Sequence, residues 1–198
     1  MSDEAVDLGR RHFLTVATSV AGGIGVIAVA APFLASLKPS ARAQALGAPI
    51  EVDVSKIEPG ARITVEWRGK PIYIVRRTPE ALAQLDALAA RLRDPDSLAS
   101  EQPVYARNTH RSLRPEVFVV IGVCTHLGCA PLYRPEVGAA DLGSEWPGGF
   151  FCPCHGSRFD LAGRVFAGVP APLNLTVPPY RFVGEATLVI GDDTGAGA

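Results

Sequence analysis

The chain has 198 residues and a formal net charge of −1, from 19 basic and 20 acidic side chains. This near-neutral balance, without a basic cluster, argues against nucleic acid as a partner. Roughly 150 residues follow an apolar N-terminal stretch, which is enough for one domain with a core of its own.

The N-terminal stretch, residues 13–37, contains no charged side chain. As a helix it would be roughly 37 Å long, and a bilayer core of about 30 Å can be spanned with some tilt. Arg10 and Arg11 stand just before it, and a twin arginine followed by an apolar run resembles a Tat export signal. We therefore expect a cytoplasmic segment 1–12, a single-pass anchor in the inner membrane, and a C-terminal domain in the periplasm.

A cleaved signal peptide is the alternative, because Ala43-Gln44-Ala45 offers small residues of the A-x-A type. The apolar stretch is longer than the about 7–15 residues usual for such a peptide, which favours an uncleaved anchor. Residues 38–48 are small and polar, with Pro39 and Gly47 as breakers. They predict a flexible hinge linker that leads into a domain over residues 49–198.

Short apolar or alternating segments separated by Gly and Pro turns predict a mainly β, antiparallel domain. The expected strands are 50–54, 63–67, 72–75, 117–123, 150–152, 157–160, 164–166, 175–177, 180–183 and 187–190. One helix interrupts them, with Thr78 as its N-cap, Pro79 in its first turn and a leucine stripe that reaches Leu92. Residues 130–151, rich in Gly and Pro, predict an irregular loop.

Two boxes, CTHLGC at 124–129 and CPCHGS at 152–157, contain all four cysteines and two of the four histidines. A [2Fe–2S] cluster can take two thiolates on one iron and two imidazoles on the other. Such a ferric core carries no net charge, whereas four thiolates would leave two negative charges. A reduction potential well above that of an all-cysteine cluster is therefore expected. Spacing alone does not decide between Cys152 and Cys154 as the second thiolate.

The two boxes resemble the cluster-binding boxes of the Rieske iron–sulfur proteins of cytochrome bc complexes. The resemblance implies four ligands to the cluster and one disulfide: Cys124, His126, Cys152 and His155 as ligands, and Cys129–Cys154 as the disulfide. Such a disulfide would clamp the two boxes together. It closes a loop of about 25 residues, for which chain entropy gives roughly 3 kcal/mol.

The resemblance also implies a sandwich-like domain with a small cluster-binding subdomain inserted at about residues 118–173. Within it, Ser157 is expected to donate a hydrogen bond toward sulfur. Phe159 stands where family members carry a tyrosine that donates to a ligand sulfur, so we expect a lower potential than theirs.

The surroundings of the boxes are expected to serve docking and shielding. Leu127, with Gly128 beside it, would lie exposed at a docking tip around the ligand imidazoles. Pro170 belongs to a proline-rich loop that would cover the cluster and limit its contact with solvent.

The function implied is electron transfer from a membrane quinol, ubiquinol being expected, to a c-type cytochrome. A cytochrome b subunit would take the second electron of each quinol, and the complex would be dimeric. His155 or His126 would take the quinol proton as the electron moves.

Three alternatives compete with this interpretation. A structural zinc site usually takes C-x2-C pairs, which the boxes lack. A soluble Rieske ferredoxin would lack both the extra cysteine pair and the anchor. The small subunit of a periplasmic arsenite-type oxidase can share the boxes, the disulfide and the Tat signal, but the long anchor and the linker favour the quinol enzyme.

Overall fold

The computed structural model describes residues 7–196, which form two compact units divided between Ala45 and Leu46. Residues 1–6 of the predicted cytoplasmic segment and residues 197–198 of the predicted periplasmic domain lie outside this range.

Helix α1 spans Leu8–Ser36 and begins before the predicted anchor, because Asp7 caps it. The Asp7 carboxylate accepts hydrogen bonds from the backbone N–H groups of Gly9 and Arg10, at 3.0 and 3.1 Å. The helix is long and apolar enough to cross a membrane, and its most apolar window has a mean hydropathy of 2.1. Its apolar side chains are exposed around the whole helix, as a surface that faces lipid requires.

A second, short helix occupies much of the predicted linker. Helix α2 spans Ala41–Gly47, and residues 37–40 form a break between it and α1. Ser40 begins α2, since its hydroxyl accepts from the N–H of Ala43 at 3.2 Å. Alanine alternates through α2, and its high helix propensity explains why this segment is not a uniform coil.

Nine strands lie within residues 7–196 and form three antiparallel sheets of three strands each, which confirms the mainly β fold class. The strands are β1 (Ile50–Asp53), β2 (Arg62–Trp67), β3 (Lys70–Arg76), β4 (Val117–Ile121), β5 (Leu132–Arg134), β6 (Gly149–Phe151), β7 (Arg158–Phe159), β8 (Tyr180–Val183) and β9 (Thr187–Ile190). The sheet orders are β1-β9-β8, β2-β3-β4 and β5-β6-β7. The first box therefore connects β4 to β5, and the second connects β6 to β7.

The predicted helix forms, but only its first half is α-helical. Helix α3 spans Pro79–Leu85, and a 3-10 segment continues over Asp86–Arg91. The side chain of the N-cap, Thr78, accepts from the N–H of Ala81 at 3.2 Å. The Leu85 carbonyl accepts from the side chain of Arg164 at 2.6 Å. This tertiary hydrogen bond lies at the point where the α-helical ladder ends.

Two predicted strands are wrong, although both segments are buried. Residues 164–166 make only isolated bridges, and residues 175–177 join no sheet. Their backbone donors find partners outside a ladder: the Val165 N–H donates to the Asn174 side chain and the Val177 N–H to the Glu101 carbonyl. Burial explains their apolar sequence, and loop carbonyls and a side chain replace strand pairing.

The expectation of an irregular loop over residues 130–151 is also only partly right. Strand β5 pairs with β6, and a small separate core forms around the buried Trp146, Leu142 and Ala139. The Trp146 indole N–H donates to the Arg134 carbonyl at 3.0 Å. The strand is three residues long and half exposed, too short for alternation to reveal it.

The end of β4 is fixed where the first box begins. The Ile121 N–H donates to the Thr176 carbonyl, and the Gly122 N–H donates to the Pro71 carbonyl. A side chain at Gly122 would place its Cβ 2.4 Å from the Tyr73 ring. Only glycine fits this crossing, so β4 delivers the first box at a defined place.

A buried ion pair stabilises the turn after β7. The guanidinium of Arg164 donates to Asp160 at 2.8 Å, and their side chains are only 1% and 0% exposed. The Asp160 carboxylate also accepts from the backbone N–H groups of Ala162 and Arg164, at 2.9 and 2.8 Å. One carboxylate therefore satisfies three donors in the interior.

We expect Asp160→Asn to lower the free energy of unfolding by about 3–5 kcal/mol, because it leaves the buried Arg164 charge without a counter-ion. Urea unfolding of the detergent-solubilised protein, followed by circular dichroism, measures the change. Asp141→Asn is the matched control, since the Asp141–Arg134 pair has an exposed carboxylate and should matter little. Equal unfolding midpoints for wild type and Asp160→Asn would contradict the expectation.

Candidate metal centre

The two boxes have the same backbone hydrogen-bond pattern. In the first, the Cys124 carbonyl accepts from the Gly128 N–H, and the Cys124 N–H donates to the Cys129 carbonyl. In the second, Cys152 makes the corresponding hydrogen bonds with Gly156 and Ser157. Each turn closes through a glycine with positive φ, +83° at Gly128 and +74° at Gly156. Glycine adopts this backbone conformation without steric cost, so both turns can be tight.

The cysteines divide into one bonded pair and one free pair. Cys129 and Cys154 form a disulfide that joins the two boxes. Cys124 and Cys152 are free thiols, and both are buried. Because Cys154 is bonded, Cys152 is the free thiol of the second box, as the family resemblance implies.

The free thiols lie side by side. The Cys124 and Cys152 side chains are within hydrogen-bonding reach of each other. The pKa of the Cys124 thiol is raised, because burial and the neighbouring Cys152 outweigh the hydrogen bonds from the His126 backbone and the Ser157 side chain, which lower it. Donors placed on a buried sulfur stabilise the thiolate, the form that binds metal.

The rings of the two box histidines lie close together. The ring centroids of His126 and His155 are 4.7 Å apart and the rings are nearly perpendicular, at 87°. Nδ1 of His126 is buried and has no hydrogen-bond partner. A buried imidazole nitrogen without a hydrogen-bond partner destabilises the folded protein unless it binds a ligand such as a metal ion.

The donor set fits a mixed cysteine–histidine iron–sulfur cluster. The two turns supply two buried free thiols and two facing imidazoles, and one of these imidazoles has a buried, unpartnered Nδ1. The sulfurs of Cys129, Cys152 and Cys154 also lie within 4.8 Å of one another. That trio is not a ligand set, because two of its sulfurs are spent in the disulfide.

The proline-rich segment lies against both boxes. The Ser157 hydroxyl accepts from the Ala171 N–H at 3.0 Å, which leaves its own hydrogen for the Cys124 sulfur. The Thr125 hydroxyl donates to the Leu173 carbonyl at 2.6 Å. Pro170 itself is exposed beside the buried Ala171. Each box is thus tied to this segment by one hydrogen bond, and the shielding role of Pro170 stays a prediction.

The tip of the first box is apolar and open to solvent. The Leu127 side chain is 70% exposed, and Gly128 and His155 are also exposed. Phe159, by contrast, is fully buried and pairs with Phe150 across β6 and β7. The predicted site residues therefore separate into a solvent-facing tip and a buried floor.

Two residues of this region were missed by sequence reasoning. Thr125 ties the first box to residue 173, and its position between two predicted ligands was the signal for it. Asn174 donates to the Asp94 carbonyl and the Ser97 hydroxyl, each at 2.9 Å, and accepts from the Val165 N–H. No local pattern marks Asn174, because its partners are distant in sequence.

Comparison with known proteins agrees with this geometry. The "Rieske [2Fe-2S] domain" profile matches residues 50–180, and the profile "Ubiquitinol-cytochrome C reductase Fe-S subunit TAT signal" matches residues 1–40. The chain belongs to the Rieske iron–sulfur protein family. The cluster and the Tat signal, both predicted from the sequence, are thereby confirmed. The alternative of a structural zinc site is excluded.

The similarity extends over nearly the whole chain. A "Ubiquinol-cytochrome c reductase iron-sulfur subunit" of Allochromatium vinosum is 55% identical, with 99% of this chain and 95% of that protein covered. The protein of the same name from Blastochloris viridis is 43% identical, with 96% and 97% covered. A solved chain titled "Hyperthermophilic respiratory Complex III" is 28% identical over 87% of this chain and 98% of its own, with a TM-score of 0.48. This Rieske protein is accordingly a membrane-anchored subunit with an N-terminal Tat-signal helix.

We expect Ser157→Ala to lower the reduction potential of the cluster, because a donor to sulfur stabilises the more negative reduced state. Phe159→Tyr, which restores the hydroxyl of other family members, should raise it. Redox titration followed by electron paramagnetic resonance (EPR) measures both. Ser112→Ala is the control, since it removes an equally buried hydroxyl that accepts from Arg77. Unchanged potentials in both test variants would refute the role of these hydroxyls.

Proposed function

We propose that this Rieske protein is the iron–sulfur subunit of a cytochrome bc complex, which takes electrons one at a time from a membrane quinol and passes them to a c-type cytochrome. The observation that carries the proposal is the coincidence of near-full-length similarity to ubiquinol–cytochrome c reductase subunits with an exposed imidazole beside two buried thiols.

We assign four ligands to the cluster: Cys124 and Cys152 through sulfur, and His126 and His155 through a ring nitrogen. When bound, the cluster supplies a one-electron acceptor of raised potential. The assignment is supported by the burial of both free thiols and by the buried, unpartnered Nδ1 of His126. The Cys129–Cys154 disulfide links the two boxes covalently and so limits how far they can separate.

The exposed imidazole performs the proton chemistry. His155 is solvent-exposed. Once its outer ring nitrogen has lost its own proton, that nitrogen could accept a hydrogen bond from a quinol hydroxyl and then hold the quinol proton. The exposed Leu127 side chain and the bare backbone of Gly128 offer an apolar, close-fitting contact for the pocket that holds the quinol. The quinol donates two electrons, and the second would pass to a b-type haem.

The partners and topology follow from the same assignment. The protein would work with a cytochrome b subunit and a c-type cytochrome subunit in a dimeric complex. Its N-terminus would face the cytoplasm and its Rieske domain the periplasm, with α1 as an uncleaved anchor. A cluster inserted in the reducing cytoplasm explains why a Tat signal, which exports folded proteins, precedes the anchor, and the disulfide then persists on the oxidising side.

We expect His126→Leu and His155→Leu each to abolish both the EPR signal of the cluster and quinol–cytochrome c reductase activity, because each removes one nitrogen ligand. The assay uses the purified complex with quinol as donor. His110→Leu is the control, since His110 lies outside the boxes and its carbonyl accepts from Arg77. A complex that lacks quinol oxidation although the cluster is present would overturn the proposed function.

The break between α1 and α2 is the proposed hinge. Residues 37–40 separate two helices, and a few such positions can absorb a large change in backbone angles. A change that fuses the two helices tests this proposal.

We expect replacement of Lys38-Pro39-Ser40 by three alanines to slow turnover while the EPR spectrum stays the same, because alanine favours one continuous rod. Steady-state activity and the spectrum of the same preparation measure this. Arg42→Ala with Gln44→Ala is the control, since both lie within α2 and keep it helical. Wild-type turnover in the fused variant would exclude a hinge at this break.

A further inference from the structure

A cationic groove lies beside the second box. It has a volume of about 440 Å³ and is bounded by Arg91, Arg158, Trp146 and the segment 166–169. Arg93 borders the same segment, because its guanidinium donates to the Val169 carbonyl at 3.1 Å. We call Arg91, Arg93 and Arg158, with the segment they flank, the arginine groove.

The guanidinium groups of the arginine groove are held in place but not neutralised. Arg91 donates to the Glu145 carbonyl at 3.2 Å and stacks over the Phe166 ring at 5.3 Å. Within residues 7–196, none of the three arginines forms an ion pair with a carboxylate. Each guanidinium has five donors, so most of them remain free to bind an anion.

The positive charge of the groove is a local concentration. The whole chain has a net charge of −1, and Glu145 is the one acidic residue among those that line the groove. On the same 130–151 segment, Arg134 is paired with Asp141 and Glu136. In the part of the chain that the structure describes, the arginines of the groove therefore lack a carboxylate partner, whereas the neighbouring Arg134 has two.

The groove adjoins the redox site through the backbone. Arg158 directly follows Ser157, and its carbonyl accepts from the Phe166 N–H at 3.1 Å. The segment then runs to Ala171, whose N–H donates to the Ser157 hydroxyl. A protein docked in the groove would therefore lie beside the box that carries His155.

We propose that the arginine groove is the docking surface for an acidic face of the electron-accepting protein, which rests on the proposed function. A guanidinium group can bind a carboxylate through two parallel hydrogen bonds, which fix the orientation of the two groups. Complementary charge also speeds encounter and selects the partner. The apolar tip at Leu127 then contacts the quinol side, and the groove determines how the head meets its acceptor.

The test is the rate of acceptor haem reduction in the intact complex after the cluster has been reduced. We expect the triple variant Arg91→Gln, Arg93→Gln, Arg158→Gln to slow this step about tenfold at low salt. The triple lysine variant, which keeps the charge, should stay within about twofold of wild type. Arg107→Gln is the matched control, because it removes one exposed positive charge that lines a different pocket.

A change in cluster potential cannot mimic this result. Removing positive charge near the cluster lowers its potential, which makes the reduced cluster a stronger donor and would speed the step. The wild-type rate should also fall as salt rises, and the rate of the glutamine variant should depend less on salt.

A wild-type rate in the triple glutamine variant would overturn the proposal, and so would slower reduction of the cluster by quinol with normal acceptor reduction. If the triple variant lacks a cluster signal, Arg93→Glu replaces it, because Arg93 is exposed and its one recorded partner is a carbonyl. A wild-type complex that cannot oxidise quinol would instead refute the proposed function.

Discussion

Two thiols, Cys124 and Cys152, lie side by side in the interior of the Rieske domain. Two thiolates there would be unstable without a cation, because a buried charge must be compensated. A metal centre resolves this conflict, and most of the surrounding structure serves it. Backbone and hydroxyl donors point at the sulfur of Cys124, and in the proposed ligand assignment the two facing imidazoles add no negative charge.

The rest of the domain keeps that donor set rigid. The disulfide joins the boxes covalently, and the segment through Ala171 and Leu173 is hydrogen-bonded to both. Behind the second box, the turn at Asp160 is fixed by the buried ion pair with Arg164. A cluster that gains and loses electrons benefits from such rigidity, because little of its environment has to rearrange at each transfer.

The chemistry could be predicted from the sequence more completely than the fold. Cysteine and histidine at fixed spacing are specific, so the boxes indicated the cofactor and the family. Spacing alone left the choice between Cys152 and Cys154 open. The family resemblance favoured Cys152, and the Cys129–Cys154 disulfide leaves Cys152 as the free thiol. Strand β5 was missed because it is three residues long, and residues 175–177 were taken for a strand because burial, not pairing, explains their apolar character. The arginine groove has no sequence signature, since Arg91 and Arg158 are far apart in the chain.

The equal hydrogen-bond pattern of the two turns has a consequence for the direction of charge flow. The same backbone holds histidine as the third residue of the first turn and as the fourth residue of the second. This one-residue offset brings the rings of His126 and His155 together, while the free sulfurs remain buried. The site thus has a nitrogen-bearing edge that meets the outside and a sulfur-bearing edge that does not. A partner can therefore approach the site directly only through its nitrogen-bearing edge, and charge that reaches the buried sulfurs has to pass through that edge or through the surrounding protein.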